Sequence, residues 1–218
     1  HGFGSSKESQ TAQTITKALA KYGIGTFSYD FPAHGDSPVD GDMFRIGNCI
    51  SDLTAVEAHV RKMMPKVEIA YFSSSFGAYI NIIYLASCKH AGRKSFLRCA
   101  AVDMPCIFRR DTTPEQYALL NNQGFVMLDK CYVRPLKITR EFLHDLNNYD
   151  VFKLYHPGMT KIAMIHGTAD ITAPIDDARR FAKKFGLELT EVAGADHRFL
   201  IPGGMDQVVG TAVNFFKQ

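Results

Sequence analysis

Tyr71-Phe72-Ser73-Ser74-Ser75-Phe76-Gly77 joins a run of β-forming residues to a run with helical character. A nucleophile on such a sharp strand-to-helix turn needs small residues two positions before it and two positions after it, because the backbone there is strained. Only Ser75 meets this condition, since Ser73 and Ser74 each have an aromatic residue at one or both positions. The spacing therefore predicts Ser75 as the nucleophile, although serine-rich turns at strand ends also occur for purely structural reasons.

Outward from this turn, β-rich runs alternate with helical patterns along most of the chain. Strands are predicted at residues 25–29, 67–72, 96–102, 160–166 and 187–192. Helices are predicted at residues 11–22, 49–64, 76–91, 175–185 and 205–216. This alternation is typical of a mainly parallel central sheet with helices on both faces, so the predicted fold class is α/β.

The alternation breaks between residues 104 and 157. Residues 124–128 and 131–133 are compatible with a hairpin around Asp129-Lys130, and residues 138–147 with a helix. We predict one domain, residues 1–218, in which residues 105–157 are a lid insertion over the carboxyl ends of the strands. Its larger apolar residues either line an acyl or aromatic pocket or form the lid's own small core. These residues are Tyr117, Phe125, Met127, Tyr132 and Phe142.

Composition narrows the classes of function. The 218 residues are 46% hydrophobic, which suits one sizeable core, and the net charge of +3 comes from scattered basic residues. No basic run favours nucleic acid, and no apolar stretch approaches the roughly 20 residues of a membrane span. Histidines and cysteines are dispersed, so neither a metal nor an organic cofactor is expected. The five cysteines are odd in number and lack CxxC spacing, which indicates reduced thiols and a cytoplasmic protein.

Three other loops complete a pattern with the Ser75 turn: His1-Gly2-Phe3-Gly4, His166-Gly167-Thr168-Ala169-Asp170 after one predicted strand, and Gly194-Ala195-Asp196-His197 after the next. Together they resemble the α/β-hydrolase superfamily, and in particular its cinnamoyl/feruloyl esterase-like and serine aminopeptidase-like branch. The order Ser, Asp, His is that of this superfamily and differs from the chymotrypsin and subtilisin orders. One departure is Ser73, which stands where the superfamily usually has glycine.

The resemblance implies a role for each of these residues. Ser75 is the expected nucleophile, His197 the base and Asp170 the acid that orients the histidine. The backbone N–H groups of Phe3 and Phe76 are the expected oxyanion hole. Asp103 remains a rival acid, because some members of the superfamily place it after an earlier strand. Asp36, in His34-Gly35-Asp36-Ser37, is expected to hold its loop and to take no part in the chemistry.

The resemblance also implies a function. A serine hydrolase acting on small carboxylic esters through an acyl-enzyme is expected, with feruloyl or cinnamoyl esters as the candidate substrates. A serine aminopeptidase or acylaminoacyl peptidase is the alternative, with Glu141 or Asp145 as a carboxylate for the substrate amine. A non-catalytic binding protein on the same fold is the third possibility, and Ser73 is the residue that encourages it. The oligomeric state is left open.

A final expectation concerns the central sheet. In the superfamily, the strand that leads into the His-Gly-x-Gly loop lies between the strand predicted at residues 25–29 and the one that ends at Ser73. A missing central strand would leave buried N–H and C=O groups unpaired, at roughly 1–3 kcal/mol each. We therefore expect upstream residues of the natural protein, or another segment or chain, to supply it.

Overall fold

The computed structural model describes residues 1–88, 92, 94–158 and 160–218. Its helices are α1 Gln10–Ala20, α2 Ile46–Met63, α3 Phe76–Ser87, α4 Met104–Asp111, α5 Pro114–Gln123, α6 Arg140–Leu146, α7 Val151–Leu154, α8 Ile175–Phe185 and α9 Gly204–Lys217. Its strands are β1 Ala70–Ser74, β2 Lys94–Arg98, β3 Phe125–Leu128, β4 Leu136–Thr139, β5 Lys161–Gly167 and β6 Glu188–Val192. A short 3-10 turn at Gly41–Met43 precedes α2. No helix in this part of the chain is long and apolar enough to cross a membrane.

The central sheet has the strand order β1-β2-β5-β6, and each neighbouring pair is parallel. Because all four strands run the same way, their carboxyl ends meet at one edge of the sheet. Ser75 follows β1 directly, and the loops after β5 and β6 carry Asp170 and His197. The α/β prediction is confirmed, and this edge is where a site can be assembled.

Successive side chains of the central strands point to opposite faces, which creates two cores. Phe96 and Ile165 belong to the core that α1 and α9 cover. Leu97 and Met164 belong to the core on the other face, where residues of α2, α3 and α8 pack. Both faces of the sheet are therefore buried by helices, which explains why adjacent residues at the centres of β2 and β5 are apolar.

Local signals account for the helix boundaries. Helix α8 has Asp176 and Asp177 in its first turn, Lys183 and Lys184 in its last, and a left-handed glycine, Gly186, at its end. Such charges complement the helix dipole, and glycine adopts the left-handed conformation without a steric penalty. The predicted boundaries of α8 are those observed. The predicted helix at residues 76–91 ends earlier, at Ser87, and residues 89–91 lie outside the described residues.

The strand predicted at residues 25–29 does not form. These residues are mostly exposed and take part in no ladder, and the ring of Phe27 is half exposed. A β-strand exists only through hydrogen bonds to a neighbouring strand. Among the described residues, no strand lies beside this segment, and β1 is paired only on its β2 side. The sequence pattern of residues 25–29 is strand-like, but the described residues supply no pairing partner for it.

The segment between β2 and β5 differs in part from the prediction. Strand β3 pairs with β4, with Val126 opposite Ile138 and Leu128 opposite Leu136, so the predicted pairing with residues 131–133 is wrong. The observed register buries all four of these apolar side chains, which the predicted one would not. Three helices were missed: α4, α5 and the short α7. Thr113 opens α5 with a capping box, a signal that the sequence carried.

Candidate active site

Ser75 occupies a strained turn between β1 and α3. Its φ and ψ are 55° and −116°, a conformation that residues with a side chain seldom adopt. The close surroundings explain why small neighbours are needed. A Cβ on Gly2 would lie 3.3 Å from Cβ of Ser75, and a Cβ on Gly77 would lie 2.5 Å from the main-chain oxygen of His1. The turn therefore presents the Ser75 hydroxyl at the carboxyl edge of the sheet.

The imidazole of His197 lies between the other two side chains that the sequence singled out. Its Nδ1 is 2.7 Å from Oδ2 of Asp170, and its Nε2 is 3.1 Å from Oγ of Ser75. An ionised carboxylate only accepts hydrogen bonds, so the proton belongs on Nδ1 and Nε2 is left as an acceptor. In this tautomer the imidazole is oriented to accept the proton of the Ser75 hydroxyl.

Asp170 is buried, and both of its carboxylate oxygens accept hydrogen bonds. Its Oδ1 accepts from the backbone N–H groups of Thr172 and Ala173, both at 2.9 Å, and its Oδ2 also faces Nε2 of His166 at 3.1 Å. Burial alone would raise the pKa of Asp170, but the hydrogen bonds from His166 and His197 outweigh it and hold that pKa well below its usual value. The carboxylate is therefore ionised at neutral pH and fixed in orientation.

His166 also belongs to the site, although the sequence motif did not assign it a role there. Its Nε2 is 2.8 Å from the main-chain oxygen of Ala173 as well as close to Asp170, so both neighbours require that Nε2 carries a proton. The Sγ of Cys99 joins this buried cluster within 4.8 Å of ligand atoms of His166 and Asp170. Because burial raises the pKa of Cys99, its thiol stays protonated. The three groups therefore act as hydrogen-bond partners and make a poor metal site.

Asp103, the rival acid, occupies a different place. It caps the N-terminus of α4 by accepting from the N–H of Cys106 at 3.3 Å, and Arg180 lies 3.4 Å from its other oxygen. His197 makes its carboxylate contact with Asp170 instead. The geometry therefore brings Ser75, His197 and Asp170 together and leaves Asp103 as a helix cap.

The backbone amides of Phe3 and Phe76 are both available to a ligand. Neither N–H donates to an acceptor among the described residues, and Phe76 is the first residue of α3, where helix amides are unpaired. The two rings pack edge to face, 5.7 Å apart, which ties the Gly2–Gly4 loop to the nucleophile turn. Two free amides beside a serine hydroxyl are the donors that an oxyanion needs.

The loop of His34-Gly35-Asp36-Ser37 is organised by a residue that the sequence analysis did not choose. Asp30 is buried and accepts from the N–H groups of Lys7 and Asp36 at 2.7 Å and 3.0 Å. The side chain of Asp36 itself is exposed, and its carboxylate accepts from the Nζ of Lys7 at 2.6 Å. The loop-holding role expected of Asp36 therefore belongs to Asp30.

The loop between β3 and β4 covers the glycine-rich loop. The N–H of Val133 donates to the main-chain oxygen of Gly4 at 2.9 Å. Tyr132 lies directly on Gly4, where a Cβ would be only 2.1 Å from the ring, and Gly4 has a φ of 70°. Both the close approach and the left-handed backbone require glycine at this position.

A cavity of about 1620 Å³ opens beside the site, with Ser75, His197 and Phe3 in its wall, and it continues along the unpaired edge of β1. Of the five pocket residues expected from the sequence, Tyr132 lines it. Phe142 is instead fully buried with its ring 4.5 Å from that of Phe44. The other three, which do not line the cavity, are Tyr117, Phe125 and Met127.

The apolar wall near the site comes largely from α4, the helix that the sequence analysis missed. Met104, Ile107 and Phe108 all line the cavity. Their spacing of three and four residues puts them on one face of that helix, a periodic signal that the sequence contained. Glu141 and Asp145, suggested as partners for a substrate amine, are not in the cavity wall.

Comparison with known proteins gives a family match and many structural ones. The sequence pattern of the family described as "Serine aminopeptidase, S33" matches residues 1–120. No curated protein gives a significant match.

Among solved structures, ferulic-acid-bound Est1E from Butyrivibrio proteoclasticus superposes with a TM-score of 0.85 at 17% identity, over 99% of this chain and 85% of that one. A putative hydrolase from Agrobacterium vitis S4 gives 0.83 at 19% identity, over 98% and 85%. A monoacylglycerol lipase from Paleococcus ferrophilus gives 0.71 at 16% identity, over 98% and 90%. At these identities the structures establish the fold. Because the family match spans more than half of the 218 residues, the chain belongs to the serine aminopeptidase S33 family of α/β hydrolases.

Proposed function

We propose that this chain is a serine hydrolase that cleaves small carboxylic esters through an acyl-enzyme on Ser75. The observation that carries the proposal is the position of the His197 imidazole, 3.1 Å from Oγ of Ser75 and 2.7 Å from Asp170. Such an arrangement activates a hydroxyl that is otherwise a weak nucleophile at neutral pH.

In the first half of the reaction, Oγ of Ser75 attacks the carbonyl carbon of the ester while Nε2 of His197 takes the hydroxyl proton. Asp170, ionised and fixed by its other donors, stabilises the imidazolium that forms. The carbonyl oxygen becomes an oxyanion and accepts from the N–H groups of Phe3 and Phe76. The imidazolium then gives its proton to the alcohol oxygen as that group leaves.

In the second half, water replaces the alcohol. His197 takes a proton from the water, the oxygen attacks the acyl carbon, and the same two amides hold the second oxyanion. When this intermediate collapses, the proton returns to Oγ of Ser75 and the carboxylic acid is released. Every proton transfer in this scheme uses an atom of the triad, and the chemistry requires neither a metal nor an organic cofactor.

The cavity supports an apolar or aromatic acyl group. Met104, Ile107, Phe108 and Tyr132 line it and offer one polar atom among them, the Tyr132 hydroxyl. A phenylpropenoid acyl group, as in feruloyl or cinnamoyl esters, matches such a wall, and Est1E with bound ferulic acid shares the fold. We propose that residues 105–157 act as the lid that supplies this wall.

An aminopeptidase or acylaminoacyl peptidase is the second candidate, and the description of the matched family favours it. A free substrate amine is bound by a carboxylate in the pocket, and Asp111 is the acidic residue of α4 in the cavity wall. Asp111, however, is already paired with Arg110, with an Nε-to-Oδ1 distance of 2.7 Å. Asp111 is therefore less available to a charged amine than an unpaired carboxylate would be, and the apolar wall that α4 provides favours an ester.

Labelling with a fluorophosphonate followed by peptide mass mapping tests the proposal. We expect label on the peptide that contains Ser75 and none in the Ser75→Ala variant. Aryl esters and aminoacyl anilides, assayed side by side, separate the esterase from the peptidase, and we expect turnover of the esters. Folded protein that takes no label would contradict the proposal and favour a binding protein on a hydrolase fold.

A further inference from the structure

Arg98 is a buried cation beneath the site, at the carboxyl end of β2. Its side chain is 5% exposed and forms no ion pair with any carboxylate of the described residues. Its guanidinium lies 5.1 Å from the ring of Phe199, which closes it off on one side. Its Nε has no hydrogen-bond partner at all among the described residues.

Three hydrogen bonds of Arg98 go to the two segments that carry Ser75 and His197. Its Nη1 donates to Oγ of Ser74 at 2.7 Å, and its Nη2 donates to the main-chain oxygen of His197 at 2.7 Å. Its own main-chain oxygen accepts from the N–H of Ser75 at 2.9 Å. One residue therefore holds the nucleophile turn at two points and the histidine loop at a third.

This arrangement is a poor way to stabilise a fold. A buried charge that forms no direct ion pair is unfavourable, and burial lowers the pKa of Arg98, although the nearby Asp170 and Asp196 act in the opposite direction. Apolar residues of similar size usually serve a core as well as buried charged ones do. The guanidinium must therefore serve a purpose other than fold stability. Its planar set of N–H donors is suited to holding two acceptors at a fixed separation.

We propose that Arg98 is a positioning residue that fixes the distance between the Ser75 hydroxyl and the His197 imidazole. It acts through Ser74 and through the main chain of His197, and it touches neither reacting atom. This role rests on the proposed hydrolysis at Ser75.

Two substitutions separate the loss of the N–H donors from the loss of the charge. Arg98→Met removes the donors and the charge, whereas Arg98→Lys keeps the charge but reaches one of the two acceptors. Arg179→Met is the matched control, because Arg179 is an exposed residue of α8 paired with Glu191 and Asp176. The ionisable groups around the tested pair are Asp170, His166, Asp196 and Cys99, and all are kept in every variant.

We expect Arg98→Met to fold, to keep its KM for an aryl ester and to lose about tenfold to a hundredfold in kcat, since a displacement of about 1 Å is enough for such a loss. Arg98→Lys loses less in kcat, because it still reaches one of the two acceptors. Arg179→Met matches the wild type in both KM and kcat.

Wild-type kcat in Arg98→Met would overturn the proposal. If Arg98→Met does not fold, full wild-type kcat in Arg98→Lys would overturn it. Proton NMR gives a readout independent of turnover, because the Nδ1 proton shared with Asp170 resonates far downfield. If wild-type protein takes no fluorophosphonate, the proposed hydrolysis fails; an Nδ1 resonance unchanged in Arg98→Met would then overturn the positioning role separately.

Discussion

The ring of Tyr132 rests on Gly4, so closely that a Cβ on Gly4 would lie 2.1 Å from Cδ1 of the ring. The two residues are far apart in sequence, one in the loop between β3 and β4 and the other next to the Phe3 amide. A hydrogen bond from the N–H of Val133 to the Gly4 oxygen joins the same two segments. The position of the Phe3 amide, a proposed oxyanion donor, is therefore coupled to the proposed lid.

The first prediction concerns this contact. Gly4→Ala forces the loop away from Tyr132, and we expect kcat/KM to fall at least tenfold, because the Phe3 amide moves with it. Gly23→Ala is the matched control, since Gly23 has a φ of 72° but no neighbour within 4 Å of a Cβ. It should lose only the roughly 1 kcal/mol of backbone strain and keep its activity. Failure of Tyr132→Ala to restore any activity to Gly4→Ala would argue against the steric explanation.

The second prediction concerns the triad acid. Asp170→Asn replaces an acceptor that serves His166 and His197 with a group that must turn an N–H towards one of them. We expect kcat to fall on the order of 10³–10⁴-fold, as for the equivalent change in well-studied triads. Asp103→Asn keeps a good helix cap on α4 and should be fully active. An inactive Asp103→Asn beside an active Asp170→Asn would reverse the assignment.

The third prediction concerns stability and pH. His34 is buried among aromatic rings, and burial lowers its pKa from 6.5 to about 4. The unfolded chain takes up a proton below pH 6.5 while the folded protein does not, so stability is full above pH 6.5 and is lost as pH falls towards 4. The loss from this residue should reach about 3 kcal/mol.

Urea unfolding between pH 7 and pH 4 measures the effect. Between pH 7 and pH 4, the free energy of unfolding of His34→Gln should change less than that of the wild type. This holds whether or not the variant is less stable than the wild type at pH 7. His144→Gln, a change at an exposed position of α6, serves as the control and should follow the wild-type slope. Equal slopes for wild type and His34→Gln would show that His34 is protonated in the folded protein.

The fourth prediction concerns the acyl pocket. Phe108 lines the cavity and packs 5.6 Å from the ring of Phe3, whereas Met127 is half exposed and outside the cavity wall. Phe108→Ala should raise KM for aryl esters by about tenfold or more, which corresponds to the loss of one aromatic contact surface. Met127→Ala should leave KM unchanged. If Met127→Ala raised KM and Phe108→Ala did not, the acyl pocket would instead be lined by the residues expected from the sequence.

Much of this molecule was predictable from short stretches of sequence. The boundaries of α8 follow from its terminal charges and Gly186, and the choice of Ser75 among three serines follows from the size of residues two positions away. The loops that carry Asp170 and His197 were found because their motifs, each after a predicted strand, resemble those of the superfamily. Because β5 and β6 are parallel neighbours, the loops that follow them lie at the same edge of the sheet, where Asp170 and His197 come together.

Other features depend on segments that are distant in the sequence. Residues 25–29 have a strand-like pattern but form no strand, because no described strand lies beside them. Strand β3 pairs with β4 and not with the nearer residues 131–133. The burial of Phe142 and the exposure of Met127 follow from that pairing. The place of Arg98 under Ser74 and His197, and that of His166 beside Asp170, were likewise invisible in the sequence.

The sequence by itself determined the α/β alternation, the turn at Ser75 and the order of the three triad candidates, because each depends on neighbours within a few residues. Only the tertiary structure decided which strands pair, which side chains line the cavity and which groups hold His197 and Asp170 in place. Those choices depend on burial and on hydrogen bonds between segments remote in the chain, whose geometry no local pattern encodes.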